Sequence, residues 1–87
     1  MYMSLTVEQI ANLKRFQKSL PKNASPAGVY DLPNGSKAFQ SDVPSTNIPG
    51  SFATYEKQVD QADVTLSYTK TTYASDGSIV HVKQKFP

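Results

Sequence analysis

The sequence predicts an α+β domain in which an N-terminal amphipathic helix packs on an antiparallel sheet of three to four strands. Three observations carry this reading. Ile10, Leu13, Phe16 and Leu20 recur at helical spacing as one apolar stripe, with Arg15, Lys18 and Lys22 opposite. Beyond Phe52 the period falls to two, in runs rich in Thr, Tyr, Val and Ile that turn residues interrupt. The chain has 87 residues, 38% of them hydrophobic, and no cysteine. It therefore has material for one small core, with neither disulfides nor thiolate metal sites to support it.

Taken in order, Leu5-Thr6-Val7-Glu8-Gln9-Ile10 is a helix start. Thr6 can cap with its hydroxyl, Gln9 can reach back to it, and Leu5 can pack on Ile10 as a staple. Pro21 ends the helix, which spans about 6–20. The following stretch, 21–51, holds five of the six prolines and three of the four glycines, and reads as an irregular, partly extended crossover. Within it Asn34-Gly35 is a tight-turn signal joining extended pieces around Gly28–Leu32 and Lys37–Val43, with a strand near 37–42. From 52 to 86 the runs Phe52–Val59, Val64–Tyr73 and Ser78–Phe86 form an antiparallel meander. Asp60–Asp63 makes the first turn of that meander, and Ser75-Asp76-Gly77 the second.

The formal charge is only +2, but it is unevenly spread. Residues 1–22 carry a net +3, residues 23–63 a net −3 and residues 64–87 a net +2, so two basic ends can frame an anionic ligand if they meet in space. A single histidine excludes a multi-histidine metal site. The chain contains no phosphate loop, dinucleotide fingerprint, HExxH or GxSxG, and no cofactor is expected. No apolar run approaches the roughly 18 residues of a membrane span, so membrane insertion is not expected.

Alternation along the strands sorts the side chains onto two faces. Ala53, Tyr55, Val59, Val64, Leu66, Tyr68, Val80 and Val82 make an apolar face suited to the helix. Thr54, Glu56, Gln58, Thr65, Ser67, Thr69, Thr71, His81, Lys83 and Lys85 make a polar one. If Ala74 and Ser78 bracket the last hairpin, Thr71 lies opposite His81, Thr69 opposite Lys83 and Ser67 opposite Lys85. Pairing of Val59 with Val64 sets Glu56 beside Ser67. The expected catalytic set is thus His81, Lys83, Thr69, Thr71 and Glu56. Lys85, Lys70, Ser67, Tyr73 and Arg15 are the expected substrate-binding residues.

The chemistry follows from these residue types. Histidine exchanges protons near neutrality. Ammonium groups stabilise charge that builds on a phosphoryl group. Hydroxyls and tyrosines orient a ribose or stack a base. Together they suit metal-independent RNA cleavage, in which a 2′-hydroxyl attacks the adjacent phosphate to leave a 2′,3′-cyclic phosphate. The other open class is a non-catalytic interaction module, such as an immunity-like or phage-encoded inhibitor protein, acting through its sheet face or an exposed edge.

The segments Leu32-Pro33-Asn34-Gly35-Ser36-Lys37-Ala38, Val43–Ser51, Ala53–Asp60, Tyr68–Tyr73 and Asp76–Lys83 resemble the C-terminal tails of bacterial polymorphic toxins of the contact-dependent inhibition and Rhs types. One helix followed by an antiparallel sheet is also similar to the barnase, colicin and RelE group of ribonucleases, several of which cleave tRNA. The resemblance implies an RNA substrate, tRNA above all, with His81 at a catalytic position and support from Thr69, Thr71, Lys83 and Glu56. The arginine common in such sites has no counterpart on this sheet, since Arg15 belongs to the helix. It further implies a cognate immunity protein and delivery into the cytoplasm of a target bacterium.

Overall fold

The computed structural model describes residues 5–86. One helix, α1 (Val7–Ser19), precedes five strands: β1 (Gly28–Asp31), β2 (Lys37–Pro44), β3 (Phe52–Val59), β4 (Thr65–Tyr73) and β5 (Ile79–Gln84). The strands form one antiparallel sheet in the order β1-β2-β3-β4-β5. The class is α+β, as the sequence predicts, but the sheet has five strands rather than three to four. None of the described helices is long and apolar enough to cross a membrane.

α1 starts where its capping residues place it. Thr6 Oγ1 accepts from the Gln9 N–H at 3.1 Å, and Gln9 Oε1 accepts from the Thr6 N–H at 3.0 Å. This reciprocal box satisfies two otherwise orphaned donors. The Gln9 amide also donates to the Asp60 carbonyl at 2.9 Å, which ties the helix start to the β3–β4 turn. Leu20 leaves the helix in extended conformation just before Pro21.

β2 is the strand expected near 37–42, and the additional strand, β1, also comes from the stretch read as irregular crossover. Asn34 (φ 63°) and Gly35 (φ 76°) both take left-handed backbone, and the Leu32 N–H donates to the Ser36 carbonyl at 2.9 Å. Two consecutive positive φ angles are what a tight hairpin demands and what Asn-Gly accepts. The turn folds Gly28–Asp31 onto Lys37–Gln40 and adds a hairpin to the sheet.

The core lies between α1 and the middle of the sheet. Leu13, Phe16, Phe39, Ala53, Tyr55 and Val59 are buried together, with Leu5, Leu20, Val29, Val43 and Tyr68 packed around them. Phe16, 1% exposed, sets its ring 6.1 Å from Phe39 and 5.8 Å from Tyr68. β5 contributes nothing to this cluster and is exposed along its length. The radius of gyration, 13.4 Å, accordingly exceeds the roughly 12 Å of a compact chain of this length.

Two bulges decide which way side chains point. In β3–β4 the register shifts between Gln58 and Val59, leaving Leu66 as the extra residue. In β4–β5 it shifts between Thr72 and Tyr73, leaving Val80 as the extra residue. The last hairpin does close with the Ala74 N–H donating to the Ser78 carbonyl at 2.8 Å, and Tyr73 pairs with Ile79. Past Val80, however, each β5 residue is displaced by one, which exchanges the faces of that strand. Leu66, Val80 and Val82, expected under the helix, are instead exposed.

Candidate functional site: a cationic sheet face

The displaced register places His81 opposite Thr72, Lys83 opposite Lys70 and Val82 opposite Thr71. Directly opposed residues of an antiparallel pair share a face. His81, Lys83, Lys70 and Thr72 therefore stand on the same side of the sheet as α1, in line with Tyr55 and Lys57 of β3. The helix covers Tyr55 and part of Tyr68, leaving Lys83 and Lys85 exposed and Lys57 and Lys70 half-buried.

Lysine and tyrosine interleave across this face. Lys85 Nζ lies 5.7 Å from the Tyr55 ring centroid and 5.6 Å from that of Tyr68. Lys70 Nζ is 5.6 Å from the Tyr55 ring, and Lys57 Nζ is 5.7 Å from the Tyr68 ring. Ring faces partly offset the repulsion that opposed lysines create. Among the described residues, neither ion pair involves Lys70, Lys83 or Lys85. An open cleft of about 390 Å³ lies beside Lys70 and Thr72, lined also by Val43, Ile48 and Tyr55 and by none of His81, Lys83 or Lys85.

At the helix end of the face, buried Asn12 joins two charged groups. Its amide donates to Asp63 Oδ1 at 2.9 Å, and its carbonyl oxygen accepts from Lys57 Nζ at 2.7 Å. Arg15 reaches Asp63 at 3.9 Å and stays largely in solvent. Burial, and then the Arg15 cation, lower the Lys57 pKa below the usual lysine value, while Asp63 acts in the opposite sense.

The face unites His81, Lys83, Lys85 and Lys70, with Arg15 at its rim. It does not unite them with the rest of the expected set. Glu56 pairs with Thr69 rather than Ser67, Thr71 with Thr54 and Ser67 with Gln58, all on the opposite side of the sheet. There the Glu56 carboxylate accepts from the side-chain amides of Gln40 and Gln58. Tyr73 stacks on its register partner Phe52, with ring centroids 4.9 Å apart. The bulge at Val80 is the physical cause: Thr69, Thr71 and Glu56 keep the face expected of them, and β5 turns its own over.

Sequence reasoning missed Lys57, Asn12 and Asp63. The signal was available in Lys57, a lysine in phase with Tyr55 and Val59 on the strand's apolar face. A charge at such a position must find partners, and Asn12 and the Tyr68 ring supply them. Compared with protein-family models, with curated proteins and with solved structures, the chain matches none.

Proposed function

We propose that the protein is a small endoribonuclease that binds RNA on the lysine–tyrosine face and uses His81 for proton transfer without a metal ion. One observation carries the reading: the only histidine shares an open face with Lys57, Lys70, Lys83 and Lys85. In the reaction the 2′-oxygen bonds to the adjacent phosphorus and the bond from phosphorus to the 5′-oxygen breaks. The 2′-hydroxyl gives up a proton and the leaving oxygen gains one, and His81 performs one of these transfers. The lysines stabilise charge on the phosphoryl oxygens as it builds. Tyr68 offers an aromatic edge to a base. The resemblance of Tyr68–Tyr73 and Asp76–Lys83 to polymorphic-toxin tails supports the cytoplasm of a target bacterium, and tRNA, as the place and substrate of action.

Expression from a tightly repressed promoter, with growth and total RNA followed together, tests the proposal. Growth arrest with discrete RNA fragments is the expected result. Normal growth and intact RNA in cells that hold folded protein would overturn it. The second reading, a non-catalytic interaction module, is favoured by one feature, the exposed strand β5.

A further inference from the structure

Among the described residues, β5 is an edge strand that nothing covers. Ile79, Val80 and Val82 are 62%, 64% and 51% exposed, and Phe86 just beyond the strand is also exposed. The Lys85 N–H donates to the Tyr68 carbonyl at 2.7 Å. Hydrogen-bonding direction alternates along an antiparallel pair, so residues 81, 83 and 85 turn their backbone groups toward β4. Val82 and Gln84 turn theirs outward, which leaves donors and acceptors with no strand beside them among the described residues. The opposite edge, β1, has only four residues.

Free edges attract strands, and charge decides which strand fits. Between Val64 and Phe86 the only carboxylate is Asp76, and Ser78 holds it in the turn through its N–H and hydroxyl. In the registers that set Gln84 opposite Val82 or Gln84 of its mate, a second copy pairing antiparallel through β5 would bring Lys83 against Lys83 or Lys85 on one face. Like charges so opposed are destabilising. The lysines therefore disfavour self-pairing and favour the opposite sign.

We propose that the free edge of β5 takes up an added strand from an acidic partner protein, whose carboxylates lie beside Lys83 and Lys85. The added strand pairs its backbone with Val82 and Gln84 and covers Val82 on the far face. The added strand would share Lys83 and Lys85 with the proposed RNA face, but its capture rests on the free edge and is read in the absence of RNA.

Amide hydrogen exchange of the intact protein tests it. The probes are a capped peptide of alternating glutamate and valine and its lysine–valine counterpart. The acidic peptide is expected to slow exchange at Val82 and Gln84 by roughly tenfold or more, while the basic peptide leaves both unchanged. A folded Lys83→Glu/Lys85→Glu variant should reverse that preference. No slowing by the acidic peptide, equal slowing by both peptides, or an unaltered preference in the double variant would overturn the proposal. So would protection in the free protein that grows with its concentration, because a second copy would then occupy the edge.

Discussion

Replacing Lys85 with alanine removes the ammonium group that lies within 6 Å of both the Tyr55 and the Tyr68 rings. The proposed RNA face carries five cations: Lys57, Lys70, Lys83, Lys85 and, at the rim, Arg15. If each neutralises one phosphate of a single strand, the logarithm of affinity falls with the logarithm of salt at a slope of about −3.5. A fourfold rise in salt then weakens binding by about a hundredfold. Losing Lys85 flattens the slope to about −2.8 and weakens binding most at low salt. Fluorescence anisotropy of a labelled single-stranded RNA reads both quantities, with His81→Ala as the background so that the probe survives. Thr71→Ala serves as the control, because Thr71 stands on the opposite face, and it should leave the slope unaltered. A wild-type slope shallower than about −1 would refute the reasoning, since so few released counterions do not describe a face of five cations. A Thr71→Ala effect equal to that of Lys85→Ala would refute the assignment of faces.

Other perturbations probe the scaffold. Phe16→Ala opens a void between Phe39 and Tyr68, and chemical denaturation should show a loss of about 3–5 kcal/mol, a large share of what an 87-residue domain possesses. Thr6→Ala deletes the helix cap and should cost about 1 kcal/mol by the same measurement. For Lys57, whose folded-state pKa is lowered, the unfolded chain binds more protons in the window below 10.5. Its contribution to stability must therefore rise with pH through that window and level off above it. In Lys57→Met that component of the pH dependence of Tm should vanish.

Much of the scaffold was legible because local chemistry wrote it. Thr6 and Gln9 announce a helix start in any context, and Asn34-Gly35 tolerates the paired left-handed backbone of a hairpin. Even the last hairpin could be closed correctly, with Ala74 against Ser78. The sheet was undercounted because Gly28–Asp31 is short and surrounded by prolines, and it gains its partner only when the Asn-Gly turn folds it back. The bulges at Leu66 and Val80 were not legible. Both are ordinary β-formers within apparently unbroken runs, and nothing local distinguishes a paired valine from an extra one. One such residue sufficed to carry His81, Lys83 and Lys85 across the sheet, from Thr69, Thr71 and Glu56 to Lys57, Lys70 and Tyr68.

The central claim is that His81 moves a proton on this cationic face during RNA cleavage. The most direct measurement is the cleavage rate of purified tRNA, in chelator, by the wild-type protein, His81→Ala and Thr71→Ala, each verified as folded by its melting transition. The account predicts products ending in a 2′,3′-cyclic phosphate, a loss of about 10²–10⁴-fold in His81→Ala, and an unchanged rate in Thr71→Ala. An unchanged rate in folded His81→Ala, or no cleavage of any RNA by the wild-type protein, would contradict it.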